Sequence, residues 1–207
     1  RAGGDGRLNP AYTQSLNNLI EQFGKLPGVG PKTAERLAFY ILKTDAAEAM
    51  ALAEAIRDVK QNIRQCKVCF NLSETEICTI CSDLRRQREI LCVVEQPNDI
   101  IMLEKTGLCK WVYHVLNGHI APLEGIEPSD LTIEPLVKRV RQGQIKEVVM
   151  ATNPNIEGDG TALYIRSLLS PLGVKVTRLA RGLPTGSTIE FSSGSILADA
   201  ILGRSEL

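Results

Sequence analysis

Cys66-Lys67-Val68-Cys69 and Cys78-Thr79-Ile80-Cys81 are two Cys-x-x-Cys knuckles separated by eight residues. Four thiolates at this spacing reach the corners of a tetrahedron, so Cys66, Cys69, Cys78 and Cys81 are the expected ligands of one Zn²⁺ per chain. Four sulfurs leave no open coordination position, and neither His114 nor His119 is near in sequence, which favours a structural site over a hydrolytic one. A stretch of about 20 residues cannot bury enough apolar surface to fold alone, whereas a four-cysteine zinc site contributes roughly 10–16 kcal/mol of apparent folding free energy. The first 25 residues show no export signal, so disulfides are disfavoured, and Cys92 and Cys109 read as ordinary thiols.

Upstream, Leu26-Pro27-Gly28-Val29-Gly30-Pro31-Lys32-Thr33 joins two amphipathic stretches. Gly28 and Gly30 permit a tight backbone with positive φ, and Pro31 suits the first turn of the following helix. The turn then offers bare amides beside a helix N-terminus, which is an anion site. Lys32 and Arg36 are four residues apart, share a face and can flank one phosphate without reading a base edge. A plain helix–helix turn is the alternative for a generic Pro-Gly-Val-Gly. The residues present here resemble the helix-hairpin-helix motif, which points to DNA. Lys32-Thr33 echoes a P-loop, but Pro31 stands where that motif needs glycine and no strand precedes it, so nucleotide binding is rejected.

The third cluster lies at the ends of expected strands. Ile90–Val94 runs into Glu95, and Glu147–Ala151 runs into Thr152-Asn153-Pro154-Asn155-Ile156-Glu157-Gly158-Asp159. Carboxyl ends of parallel strands are where sites form. These residues resemble the Toprim domain of topoisomerases, primases and small nucleases, in which a glutamate and an Asp-x-Asp hold Mg²⁺. Here the Asp-x-Asp positions are Asn153 and Asn155, whose neutral amides cannot supply the charge Mg²⁺ demands. Only Glu95, Glu157 and Asp159 remain as ligands for phosphoryl-transfer chemistry, and both asparagines read most simply as caps and turn formers.

The elements that must carry these residues follow from periodicity. Leu16, Leu19, Ile20 and Phe23, then Ala34, Leu37, Ala38, Ile41 and Leu42, fall at helical spacing and form the arms of the hairpin. Ala49, Leu52, Ile56, Val59 and Ile63 predict a third helix with one buried stripe. From Ile90 onward, apolar runs at 90–94, 111–116, 147–151 and 174–179 alternate with helical stretches, the pattern of a parallel sheet with crossover helices. The fold class is therefore α+β and multi-module: residues 1–7 a flexible leader, 8–54 a helix-hairpin-helix domain, 55–84 a zinc module with its preceding helix, 85–182 an α/β Toprim-like domain, and 183–207 a C-terminal tail and helix available for oligomer contact.

An apolar fraction of 43% with 23% charge is that of a globular chain, and no apolar run approaches a membrane span. The expected compartment is the cytoplasm. With 24 basic and 24 acidic residues, any grip on nucleic acid must come from local patches. Between Arg57 and Arg88 the basic residues outnumber the acidic ones by three. That excess reads equally as a DNA-facing patch or as solvated surface.

The order of hairpin, four-cysteine site, asparagine-substituted Toprim loop and Gly182-Leu183-Pro184 resembles the bacterial RecR recombination proteins over the chain after Leu8. The resemblance implies a non-enzymatic DNA-binding mediator of recombinational repair, nucleoid-associated. It implies action with RecO and RecF to load RecA on gapped or single-stranded DNA, and homodimers pairing into a ring-like tetramer able to clamp duplex. It assigns DNA contact to the hairpin, with Lys32 and Arg36 at its basic positions, and partner contact to the Toprim face carrying Glu95, Asn153, Asn155, Glu157 and Asp159. A Toprim-type Mg²⁺-dependent nuclease or primase-like enzyme is the alternative, and a pure scaffold whose hairpin only dimerises is a third reading. Two departures stand out: Asp159-Gly160 replaces the family's Glu-Ala, which predicts a looser helix start, and the tail from Thr185 lacks acids present in the family.

Overall fold

The computed structural model describes residues 11–204 and divides into two compact units, at Asn62/Ile63. The sequence reading instead places a boundary between residues 54 and 55.

The first unit holds α1 (Gln14–Gly24), α2 (Pro31–Lys43) and α3 (Ala46–Asn62). Thr13 caps α1 through its hydroxyl, and Gly30 precedes Pro31 at the first turn of α2. The two arms pack through small residues: Ala34 and Ala38 are buried, and a Cβ on Gly24 would already touch the Ala34 methyl at 3.9 Å. Tyr12 reinforces the pair, stacking edge-to-face on Phe39 and donating its hydroxyl to Glu35. The expected third helix forms, but its apolar stripe is not buried: Leu52 is 46% exposed, Ile56 58% and Val59 55%. Amphipathic spacing reports a face that needs cover, not whether the same chain supplies it.

The second unit begins with β1 (Arg64–Gln65) and β2 (Leu72–Ser73), an antiparallel ladder around the first knuckle, followed by α4 (Thr79–Ser82). Then come β3 (Gln87–Val94), α5 (Pro97–Glu104), β4 (Trp111–Val115), α6 (Ile133–Arg141), β5 (Glu147–Ala151), α7 (Ile156–Leu169), β6 (Lys175–Arg178) and α8 (Gly194–Leu202). The sheet is wholly parallel, in the order β4-β3-β5-β6, with Cys92 opposite both Tyr113 and Val149. This is the predicted α/β layer, and its strands are the expected four, with β3 starting three residues earlier. One face packs Leu91, Val93, Val148 and Met150 against Leu136, Val140, Ile165 and Leu169 of α6 and α7. The other sets Cys92, Val94, Tyr113 and Val115 against Ile100 of α5. The expected leader lies outside the described residues. Among the described residues no helix is long and apolar enough to cross a membrane.

Arg86 ties the start of β3 to the end of α5. Its Nη1 and Nη2 donate to the two oxygens of Glu104 at 2.7 and 2.6 Å, Nη1 also reaches the Cys109 carbonyl at 3.0 Å, and the Tyr113 hydroxyl donates to the same carboxylate at 2.6 Å. The Arg86 guanidinium chiefly, helped by the Tyr113 phenol, outweighs the opposing effect of burial and sets the Glu104 carboxyl below its usual range. A carboxylate with a depressed folded pKa stabilises above its unfolded pKa of about 4.3, and loses that contribution as pH falls through the folded value. Glu104→Gln is therefore expected to destabilise by about 1–3 kcal/mol at pH 7 in urea unfolding. The gap from wild type should shrink when the titration is repeated below pH 4.

Candidate functional site

Three groups of predicted residues find their places separately. In the hairpin, Gly28 adopts φ +80°, the left-handed conformation that only glycine enters freely, and Gly30 is extended as the N-cap of α2. Val29 N–H bonds back to the Leu26 carbonyl at 3.1 Å, while the amides of Gly28, Gly30 and Lys32 have no backbone acceptor among the described residues. Nothing lies within 4 Å of a Cβ built on either glycine, so the turn is open on its outer side. Lys32 and Arg36 are exposed beside it, and neither has a carboxylate partner among the described residues. Three amides without a backbone acceptor, a helix N-terminus and two exposed cations thus lie within a few residues of one another, the elements of an anion site.

The four predicted cysteines meet in the second unit. All are buried, all are free thiols, and their sulfurs lie within 4.8 Å of one another. The first knuckle is shaped by Cys66 N–H donating to the Asn71 carbonyl at 2.7 Å and by Phe70 in a left-handed conformation, φ +64°. Cys78 N–H donates to the Cys66 sulfur at 3.3 Å, tying the second knuckle to the first. Contact with the Cys78 and Cys81 sulfurs, together with burial, pushes the Cys69 thiol well above its ordinary range, a position that a divalent cation relieves. A set of four convergent buried sulfurs with no disulfide among them fits a tetrahedral Zn²⁺.

This cluster is seated on the sheet. The Val115 amide of edge strand β4 donates to the Cys69 carbonyl at 2.8 Å, and the Tyr113 carbonyl accepts Arg139 Nη1 at 2.7 Å. The knuckle and Arg139 of α6 thereby each occupy a hydrogen-bonding position that would otherwise expose an edge. His114, between them on β4, is no ligand. Its Nε2 lies 2.9 Å from the Thr132 carbonyl, its ring meets Phe70 edge-to-face, and burial pushes it down to about 4.

The Toprim-like loop gathers differently from expectation. Glu95 is only 2% exposed, and it accepts the Asn153 amide at 2.7 Å, Asn153 Nδ2 at 2.6 Å and His119 Nδ1 at 3.2 Å. Asn155 is the cap that the sequence predicts, accepting Gly158 N–H at 2.8 Å to start α7. Asn153 is not a cap: it binds Glu95. Asp159 faces away to Arg181, with Nη1 to Oδ2 at 2.8 Å, and that guanidinium holds it below the usual carboxylate range. Glu157 is exposed, with its main-chain carbonyl bonded to the Thr161 hydroxyl at 2.7 Å. Glu95, Glu157 and Asp159, the ligand set of the enzymatic alternative, are therefore not brought together; among the described residues the four cysteines alone form such a group. Nor is the start of α7 loosened by Gly160, since Asn155 caps it and Arg181 anchors the next turn.

The basic excess near the zinc module is mostly consumed internally. Arg86 pairs with Glu104, Arg85 with Asp83, Lys67 with Glu76 and Arg57 with Glu54. Sequence reading passes over His119, Thr161 and Arg181. The signal for the first is Asn117-Gly118, both at positive φ, which turns the chain back over the strand ends so that Gly118 N–H reaches the Glu95 carbonyl at 2.9 Å. Thr161 then fixes that loop, accepting Ile120 N–H at 2.9 Å.

A helical hairpin, a pair of cysteine knuckles and a parallel Toprim-like sheet define a nucleic-acid-processing architecture of three modules. Family models match each: the RecR helix-hairpin-helix at residues 16–60, the RecR four-cysteine zinc finger domain at 63–83 and the Toprim domain at 89–180. The recombination protein RecR of Rhodopirellula baltica is 53% identical over 196 residues, 95% of this chain and 98% of its own. Those of Chloroflexus aurantiacus and Pelotomaculum thermopropionicum are 53% and 50% identical, covering 97% and 95% of this chain and 98% of their own. The chain belongs to the RecR family of recombination proteins.

Gly158 gives a sharp test of the loop. A Cβ there would collide with the Asn153 carbonyl oxygen and stand 2.8 Å from Glu95 Oε1, whereas one on Gly160 meets nothing. Gly158→Ala should lower unfolding free energy by about 1–3 kcal/mol or more. Gly160→Ala should raise it by up to about 1 kcal/mol, since helix propensity alone is changed. Chemical denaturation of both variants checks the opposite signs.

Proposed function

We propose that the chain is a non-enzymatic DNA-binding recombination mediator that acts with RecO and RecF to promote RecA loading on gapped DNA. The observation that carries the reading is the hairpin: Lys32 and Arg36 stand exposed, without carboxylate partners among the described residues, beside the free amides of Gly28, Gly30 and Lys32. Such a site grips phosphate and ignores sequence, as a protein loading a recombinase at arbitrary gaps requires. The zinc ligands are Cys66, Cys69, Cys78 and Cys81, one ion per chain, in a structural role. Membership of the RecR family supports recombinational repair as the setting.

Glu95 and Asp159 are engaged by Asn153, His119 and Arg181, which supports a Toprim face used for partner contact rather than for phosphoryl transfer. Glu157, exposed at that face, is the acid available to a partner. Oligomers are supported by the uncovered stripe of α3 and by exposed Phe191, Ile201 and Leu202 around α8. Two phosphate contacts per protomer give a salt slope of only about −1.8, whereas four protomers in a ring reach roughly −7. A closed ring holds duplex by making later contacts intramolecular.

The expected result is a steep decline in DNA affinity across a salt series for the native chain, collapsing in Lys32→Ala with Arg36→Ala. A shallow slope identical in both proteins would make the hairpin an assembly element. Supercoiled plasmid incubated with Mg²⁺ and excess protein should stay intact; nicking would restore the enzymatic reading.

A further inference from the structure

Two guanidiniums of the second unit lack carboxylate partners among the described residues and reach the cysteine knuckles. Arg139, in the last turn of α6, is half-buried and donates Nη1 to the Tyr113 carbonyl at 2.7 Å and to the Val68 carbonyl at 3.5 Å. Arg88, on β3, donates Nη2 to the Cys81 carbonyl at 3.0 Å. Val68 belongs to the first knuckle and Cys81 to the second, so the sheet-bearing domain touches each knuckle with one guanidinium. Both arginines line a cavity of about 260 Å³ whose other walls are Val68, Cys81, Val112, Gln142, Gln144 and Ile145, with no acid among them.

A cation withdrawn from water without a counter-charge is costly. Arg139, half-buried against the walls of that cavity, meets this cost, whereas Arg88 is exposed and meets little of it. Four thiolates around one divalent ion retain a net double negative charge, and two guanidiniums carry the matching positive charge. We propose that Arg139 and Arg88 are the counter-charges of the tetrathiolate centre, so that the Toprim-like domain, through α6 and β3, sets how tightly the zinc module holds its ion. The role is distinct from ligation. It is positioning and charge compensation from the surrounding shell, the layer that commonly governs metal affinity. Arg139 carries the larger share, because it is the less exposed of the two and also bridges β4 to the first knuckle.

This inference rests on the zinc assignment above, and the experiment separates the two. Zinc per chain is measured in the purified native protein, and zinc affinity is then measured by competition with a chromogenic chelator under reducing conditions. Arg139→Gln keeps a polar amide side chain but loses the charge; Arg139→Lys keeps the charge. The glutamine variant should lose about ten- to a hundredfold in zinc affinity, while the lysine variant stays within about threefold of wild type. Arg88→Gln, at the more exposed position, should weaken zinc in the same direction but less, and it keeps the test open if Arg139→Gln fails to fold. Equal affinities for the glutamine and lysine variants, whether both native or both impaired, would overturn the counter-charge role, as would unchanged affinity in Arg88→Gln. A native protein without zinc would instead overturn the metal assignment itself.

Discussion

The zinc module depends on four buried sulfurs that have almost nothing apolar around them. Cys66, Cys69, Cys78 and Cys81 form a cluster of their own, with Ile80 as its only partly buried apolar neighbour among the described residues, and the ladder beside it is two residues long. Such a segment has no core to fold around unless an ion supplies one. Its effect extends outward through the bond from the Val115 amide to the Cys69 carbonyl and through Arg139, which places the knuckle along the edge of the sheet. A parallel edge strand left open is a template for unwanted pairing. The knuckle therefore protects a surface as well as presenting one.

At the carboxyl ends of the strands, the carboxylate that a Toprim enzyme would aim at a metal has become a structural acceptor. Glu95 is buried under Asn153 and His119, and the tight approach of Gly158 to the Asn153 carbonyl leaves no slack for rearrangement. An asparagine here differs from an acid in kind: where a carboxylate would repel Glu95, the Asn153 side chain donates to it, adding to the bond from its own backbone amide. The same loop still carries an exposed Glu157.

Much of this is legible because it depends on local rules. Cys-x-x-Cys spacing, the Gly28 and Gly30 turn before Pro31, and the alternation of apolar runs with helical stretches each encode geometry within a few residues, and the cysteine cluster, the hairpin and the four-stranded sheet follow. What the sequence hides is pairing at a distance. His119 to Glu95 spans 24 positions and Arg181 to Asp159 spans 22, and no periodicity announces either. The stripe on α3 shows the opposite failure: its spacing is amphipathic as expected, but amphipathicity does not say which chain provides the cover. Asn153 makes the expected turn, its carbonyl accepting Asn155 N–H at 2.9 Å, but it is no cap, because its side chain meets Glu95, a partner brought in by the β3–β5 register.

The account turns on the zinc module being the seat of the sheet edge, and hydrogen exchange with and without the metal tests this most directly. Native protein should carry about one zinc per chain. Stripping it with a strong chelator under reducing conditions should release protection across residues 63–83 and at the Val115 amide of β4, while α1 and α2 keep theirs. Unchanged protection of β4 after the metal is gone would contradict it.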